Sequence, residues 1–311
     1  MEKIALVGNT GFVGSNLCIS KKFDFVANSK NVGDLYNVHP DVLVYAGVTG
    51  TKWYANCHSE EDYAIIEGAK KNIELINPKK LVLISTVDVY NHLEQVNEDT
   101  ILDTRDMHNY GIHRLELENW ALDNWSDIKI IRLPAIYGLN LKKNFVYDMI
   151  HYVPTIVDKE FMSLLMENME GIFEKYFLNL DGRYQLKSVS LKEYQELRKK
   201  FKENRYNALY FTNSMSSYQF YNLKNLWSDI KLAEEIDTKI VNLVSEPVTA
   251  EEAYYYIYQD KFVNYKPKQI RYNIQSNYAE YFGVKNLYMY SKTQVLEDLK
   301  KFVDNMTLIY R

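Results

Sequence analysis

Residues 3–7, Lys-Ile-Ala-Leu-Val, run directly into Gly8-Asn9-Thr10-Gly11-Phe12-Val13-Gly14. The apolar run has the length of a fully buried strand. A glycine-rich turn then opens a helix, expected to continue to about Lys21. Few folds tolerate three glycines at this spacing between a buried strand and a helix. The three have separate tasks: one permits the tight turn, one lets backbone approach a pyrophosphate, and one lets helix pack on strand. The new helix then offers free N–H groups and the positive end of its dipole to phosphate. The turn therefore reads as a dinucleotide cradle made of Gly8, Thr10, Gly11, Phe12, Val13 and Gly14.

The pattern repeats along the chain. Short apolar runs at 23–28, 41–46, 80–85 and 128–133 alternate with helical segments at 61–76 and 109–124. The helix at 61–76 should stop at Asn77-Pro78, because proline cannot continue it. Segments 47–60 and 88–107 read as loops, the second long enough to be functional. Residues 239–244 read as a late strand returning to the sheet, followed by helix 249–258 capped by Thr249. The tail 291–304 reads as a helix. Residues 142–210 read as mostly helical and charged, with 191–204 an exposed helix. Alternating buried strands and amphipathic helices predict an α/β, Rossmann-type doubly wound parallel sheet. The expected division is a dinucleotide-binding domain over 1–140, its sheet completed by about 239–260. A smaller, mainly helical C-terminal substrate lobe would occupy 141–311.

Composition excludes several classes. A net charge of −4 and a pI near 5.9 favour neither nucleic acid nor an anionic membrane as partner. The 27 tyrosines lack the basic interleaving of a base-stacking platform. Half-buried rings with polar tips are the simpler reading. Two cysteines, Cys18 and Cys57, make no disulfide framework, and reduced thiols in a cytoplasm are expected. Cys18 falls where the first helix wants a small buried hydrophobe. The six histidines are dispersed, so no metal site is expected. The opening MEKIALVG is already a strand, so no secretory leader is expected. No apolar run approaches the ~18 residues of a membrane span.

The end of the second strand bears on which dinucleotide is held. An acidic residue there would take both ribose hydroxyls of NAD. This chain has Asn28, Ser29 and Lys30. A hydroxyl and an ammonium suit a 2′-phosphate better, which favours NADP(H), with NAD(H) the alternative. A plain Asn-Ser-Lys-Asn turn without ligand is the other reading. Asp34 and Leu35 are candidates to flank the adenine.

These residues resemble the extended short-chain dehydrogenase/reductases, the family of NAD-dependent epimerases and dehydratases. The glycine spacing matches. Ile84-Ser85-Thr86-Val87-Asp88-Val89-Tyr90 resembles the family's central-strand motif, which puts its hydroxyl at Thr86. Tyr110-Gly111-Ile112-His113-Arg114 resembles Tyr-x-x-x-Lys, departing at the last position. Arg132-Leu133-Pro134-Ala135-Ile136-Tyr137-Gly138 resembles the signature after the next strand, and Lys239–Val244 the returning strand. The short passage from Asn28 to Pro40 is similar to the 4-keto reductase branch that includes dTDP-4-dehydrorhamnose reductase. The resemblance implies a cofactor also lined by Ala46, Gly47, Ser85, Leu133, Pro134 and Ile136, and by Tyr110 and Arg114. It implies a nucleotide-linked sugar as substrate, a role in surface-polysaccharide sugar biosynthesis, and a homodimer through helices 61–76 and 109–124.

Hydride transfer at a sugar carbon needs a proton moved at the attached oxygen. Tyrosine, with an ordinary pKa near 10, needs a nearby positive charge to act as a base. Tyr110 and Arg114 are four apart on a helix and share a face. Thr86 would hold the same sugar oxygen. Arginine keeps the charge of lysine but is planar and bulkier, so the exchange is not conservative. Pairing of Arg114 with Glu118 one turn on is its alternative role. His113 reads as a surface or helix-packing residue. Val87-Asp88 after Thr86 lacks the Asp-Glu pair of the family's dehydratases, which disfavours elimination and leaves reduction or epimerisation. Lys142, Lys143, Asn144 and Phe145 stand where the family's substrate lobe begins. Lys143 as point charge and Asn144 as donor are candidates for the substrate diphosphate, a basic surface turn being the alternative. Trp53 and Asn56 are candidates for the sugar pocket, and Trp227 for the core of the second lobe. A non-catalytic dinucleotide-binding sensor or scaffold is the rival from another class.

Overall fold

The computed structural model describes residues 2–284 and 286–308. The chain divides into two compact units. The first comprises residues 1–140, 217–248 and 271–297, and the second 141–216, 249–270 and 298–311.

In the first unit the glycine turn links strand β1 (Ile4–Val7) to helix α1 (Phe12–Ser20). Then come β2 (Phe25–Ala27), β3 (Val42–Tyr45), a short α2 (Lys52–Cys57) and α3 (Ser59–Ile76). Beyond them lie β4 (Lys80–Thr86), β5 (Glu94–Val96), α4 (Asn109–Asn124) and β6 (Ile128–Leu133). The main sheet has six strands in the order Ile240–Asn242, β6, β4, β3, β1, β2, and each of its pairs is parallel. Every residue of β1, β3 and β6 is buried, as the continuous apolar runs require of strands covered on both faces. On one face Leu6, Val44, Val82 and Ile131 pack with Leu17 of α1 and Ile230 of the helix Leu226–Glu234. On the other, Val7, Leu43 and Leu83 pack with Ile66 and Ile73 of α3 and Leu117 of α4. Helices on both faces of a parallel sheet make the doubly wound α/β, Rossmann-type fold expected from the sequence. The return strand lies within 239–244 and pairs in register with β6. α3 ends on Asn77 in the left-handed region, with Pro78 behind it.

Several local expectations change. The segment 47–60 is not all loop: α2 occupies six of its residues. The loop 88–107 contains β5, which pairs with Asn273–Ile274. Cys18 is exposed rather than packed inside. Its neighbour Leu17 takes the buried position of α1 instead. Trp227 belongs to the first unit, where its ring meets Phe23 edge-on at 5.5 Å.

The second unit includes helix α5 (Phe145–His151) and the helices Lys159–Asn168 and Leu191–Lys202. Residues 142–210 are less helical than expected. They hold an antiparallel sheet of Ile156–Asp158, Arg183–Leu186 and Phe177–Leu180, with Arg183–Leu186 in the middle. The hairpin turns on Asp181 and Gly182, both at positive φ. An Asp-Gly pair between two short strands is a strong hairpin signal, and here it outweighs the surrounding charge. Among the described residues no helix is long and apolar enough to cross a membrane.

Candidate active site

The chain reverses its direction across the sheet between β1 and β3, and in open α/β sheets ligands bind at the carboxyl ends of strands at such a point. Gly8 leaves β1 there with φ +99°, and a Cβ on it would stand 2.3 Å from the carbonyl oxygen of Ala46. Gly47 comes directly after. A Cβ on Gly14 would stand 2.1 Å from the Gly8 oxygen, so α1 packs against the turn itself. Gly11 has an ordinary φ of −73°, and the nearest atom to its Cβ position is the Gly8 oxygen at 3.2 Å. Its missing side chain leaves room for a ligand to approach. α1 has no side-chain cap and no acidic residue in its first turn. Asn9 Oδ1 is buried without a hydrogen-bond partner. An uncapped nine-residue helix behind a cradle that a Cβ would fill fits a dinucleotide pyrophosphate. The Gly8 and Asn9 amides are engaged by the Ala27 carbonyl, which ties the end of β2 to the turn.

Asn28, Ser29 and Lys30 come directly after Ala27. Asn28 Oδ1 accepts the Lys30 N–H at 2.9 Å, and Asn31 Oδ1 accepts the Asn28 N–H at 2.9 Å. The turn is self-satisfied and leaves Ser29 and Lys30 exposed. Asp34 is exposed beyond it, whereas Leu35 is buried in the core. Thr10 is exposed, and Phe12, Val13, Ala46 and Ile136 are half-buried against the core. Pro134 is half-buried, Leu133 is fully in the core, and Ser85 donates to Glu118 at 2.5 Å.

Thr86 ends β4 and Tyr110 opens α4. The Thr86 hydroxyl lies near enough to that of Tyr110 to pull it down. α4 begins where it does because two acceptors cap it, one local and one from α2. His108 Nδ1 accepts the Gly111 N–H and Asn56 Oδ1 of α2 accepts the Tyr110 N–H, each at 3.0 Å. Asn56 therefore holds the Tyr110 backbone, whereas the sequence suggested a place in the sugar pocket. Glycine is needed at 111, since a Cβ would stand 2.2 Å from the Asp88 carbonyl oxygen. Trp53 is half exposed on α2, edge-on to His58.

Arg114 stacks on the Tyr110 ring, its Cζ 4.1 Å from the ring centroid. It does not pair with Glu118, which instead holds the buried Arg132 through Arg132 Nη2 at 2.6 Å. Arg114 grips Asp62 of α3 with both terminal nitrogens and donates to the Thr49 carbonyl at 2.6 Å. His113 reaches the same carboxylate at 2.8 Å, so it is a helix-packing residue aimed at the same partner as Arg114. Burial pushes the Asp62 carboxyl up, but the hydrogen bonds from Arg114 and His113 prevail and hold it below its usual range. Asp62 is 1% exposed.

Tyr110 is nearly buried. Burial pushes its hydroxyl up, Arg114 pulls it down, and Asp88 pushes it up again; the net direction is upward. Asp88 Oδ1 receives Lys52 Nζ of α2 at 2.8 Å and the Tyr272 hydroxyl at 3.0 Å. Around Tyr110 the structure places Thr86, Arg114, Asp62 and Asp88, with Lys52 and Tyr272 on Asp88. Asp62 had a signal: it shares the inward stripe of α3 with Ile66, Ala69 and Ile73, and an acid there demands a partner. Lys52 and Tyr272 had none, because the residues they meet are distant in sequence.

Lys143 and Asn144 lie in the second unit. Asn144 caps α5 by accepting the Tyr147 N–H at 3.1 Å, with an unusual backbone of φ +104°, ψ 175°. Such conformations are sparsely populated by side-chain-bearing residues and concentrate at functional sites. Lys143 is exposed.

No protein-family model matches the chain, and no curated protein sequence matches it. Solved structures do match it in fold. The dTDP-4-dehydrorhamnose reductase of Bacillus anthracis, in complex with NADP, is 15% identical with a TM-score of 0.62, covering 98% of each chain. RMD from Pseudomonas aeruginosa, complexed with NADPH, is 11% identical with a TM-score of 0.64, covering 99% of each chain. The UDP-glucose 4-epimerase of Thermotoga maritima, with UDP-glucose, is 12% identical with a TM-score of 0.64, covering 99% of this chain and 100% of its own. The chain has the Rossmann-like fold of these nucleotide-sugar reductases and epimerases.

Proposed function

We propose that this chain is an NAD(P)-dependent enzyme that reduces the keto group of a nucleotide-linked sugar, with Tyr110 as proton donor and Thr86 orienting the reacting oxygen. The observation that carries the reading is the placing of Thr86 at the carboxyl end of β4, in the same sheet as the glycine turn, with Tyr110 in the first turn of α4. The bound nicotinamide would supply or accept the hydride. In reduction, the carbonyl carbon gains that hydride and its oxygen takes the Tyr110 proton. The phenolate left behind is reprotonated from solvent.

Epimerisation through a keto intermediate at the same oxygen is the alternative reaction. Exposed Lys30 at the end of β2 favours NADP(H), with NAD(H) the alternative. Trp53, Lys143 and Asn144 are the proposed substrate contacts, the lysine as point charge for the diphosphate. The protein would act in the cytoplasm, as a homodimer, in surface-polysaccharide sugar biosynthesis.

The test is a panel of nucleotide-linked keto sugars offered with NADPH, read by loss of nicotinamide absorbance. Wild type should turn over at least one. Tyr110→Phe should lower kcat by roughly 10²–10⁴-fold. Unchanged activity in Tyr110→Phe would refute the mechanism. One observation favours a second reading, a non-catalytic dinucleotide-binding protein: the residue at the lysine position of the motif is an arginine already clamped by Asp62. Cofactor binding without turnover across the panel would support it.

A further inference from the structure

The Tyr110 helix brings no uncommitted cation to that hydroxyl from the lysine position of the motif. Arg114 Nη1 donates to Asp62 Oδ2 and, at 3.5 Å, to the Tyr110 carbonyl. Nη2 donates to Asp62 Oδ1 at 2.8 Å and to the Thr49 carbonyl at 2.6 Å. The terminal nitrogens are fully engaged, and both partners of the ion pair are buried. A bidentate pair of this kind is nearly neutral at a distance, so Arg114 acts on Tyr110 only through direct stacking on its ring and pulls the hydroxyl down less than burial and Asp88 push it up.

Another cation arrives from α2. Lys52 and Asn56 are four apart on that helix and share a face. Asn56 holds the Tyr110 N–H, and Lys52 Nζ meets Asp88 Oδ1 at 2.8 Å. Asp88 is fixed between the two elements that carry the hydroxyls. Its N–H donates to Thr86 Oγ1 at 3.1 Å, and its carbonyl lies against Gly111 in the first turn of α4. An uncompensated carboxylate there would hold the Tyr110 proton still more firmly; a compensated one allows its release. Among the described residues, Tyr110 faces Asp88, Arg114 and Asp62, and Asp88 faces Lys52 and the Tyr272 hydroxyl. His108 stands close by, its ring pushed down by burial and by Lys52.

We propose that Lys52, carried to the site by α2, acts on Tyr110 through Asp88 as a second positioning cation beside Arg114, whose charge Asp62 largely takes up. This rests on the reading of Tyr110 as the proton donor. It makes the motif's departure from Tyr-x-x-x-Lys a division of the charge between α4 and α2 rather than its loss. It also makes Arg114→Lys an unhelpful change, since lysine would leave Asp62 poorly paired and add nothing at Asp88.

The experiment separates the two readings. The full chain is labelled with ¹³C at the tyrosine ring, the Tyr110 signal is assigned by its loss in Tyr110→Phe, and it is titrated without substrate. Lys52→Met should move the Tyr110 titration to higher pH, and Lys52→Arg should restore it. Asp88→Asn combined with Lys52→Met should return it toward wild type, because charge and counter-charge are removed together. With a turned-over keto sugar, Lys52→Met should lower kcat about tenfold or more at neutral pH, with KM little changed. A Tyr110 titration that stays in place in Lys52→Met overturns the inference, whatever the activity. A titration that moves as stated, with no keto sugar reduced by wild type, supports the Lys52 coupling and overturns the proposed reaction.

Discussion

Replacing Gly14 with alanine tests the dinucleotide cradle without touching any polar group. The new Cβ would stand 2.1 Å from the Gly8 oxygen, 2.6 Å from the Gly8 carbonyl carbon and 3.0 Å from Asn9 Cα. All three are backbone atoms of the turn, so no side chain can swing aside. Relief to van der Waals contact needs the turn and α1 to separate by roughly 1 Å or more. Overpacking of this kind typically costs about 1–3 kcal/mol. The displaced atoms are those expected to present amides to the pyrophosphate, so cofactor affinity should fall at least tenfold, about 1.4 kcal/mol. Gly8→Ala should be worse, since it adds positive φ, about 1–2 kcal/mol, to a 2.3 Å approach on Ala46. Gly68→Ala is the control. Gly68 lies within α3 and a Cβ there meets nothing within 4 Å. That change should leave binding intact and stabilise by roughly 0.5–1 kcal/mol. The assay is calorimetric titration with NADPH and NADH, paired with thermal melts. Wild-type affinity in a folded Gly14→Ala protein would refute the cradle.

Asp62→Asn should destabilise by about 3–5 kcal/mol at neutral pH, because Arg114 is left buried without its counter-charge. The Asp62 carboxyl is held low when folded, so its contribution exists above the unfolded carboxyl range and is lost as pH falls through the folded value. Denaturant melts of wild type and variant should therefore converge in acid. Asp148 of α5 shows the opposite sign. Burial pushes its carboxyl up to about 8, so stability should decline as pH rises from about 4 toward 8. Asp148→Asn should raise the melting temperature by a few degrees above about pH 8 and match wild type near pH 4. Lys30→Glu should weaken NADPH more than NADH in direct binding, and equal weakening of both would remove Lys30 from the 2′-phosphate.

The sheet was legible in the sequence because its strands are buried on both faces. β1, β3 and β6 announce themselves as unbroken apolar runs, and the glycine spacing determines what lies between β1 and α1. The hydroxyl pair was legible for the same reason: Thr86 and Tyr110 sit at element ends whose positions the pattern determines. Partners distant in sequence were less legible. Arg114 could have met Glu118 at helical spacing, and only the approach of α3 shows that Asp62 takes it. α2 is six residues long without a side-chain cap, too short for periodicity to reveal, yet it brings both Lys52 and Asn56 to the site. Leu35 and Cys18 show the limit on single residues, since a one-position rotation on a helix exchanges core for solvent.

The most direct measurement is transfer of deuterium from reduced NADP, labelled at the hydride position, to a nucleotide-linked keto sugar, read by mass spectrometry of the product. The account predicts one deuterium gained per product molecule, with cofactor oxidised in equal amount, and both lost in Tyr110→Phe. Conversion of the sugar without gain of deuterium or net oxidation of cofactor would contradict it, as would tight cofactor binding with no conversion of any sugar.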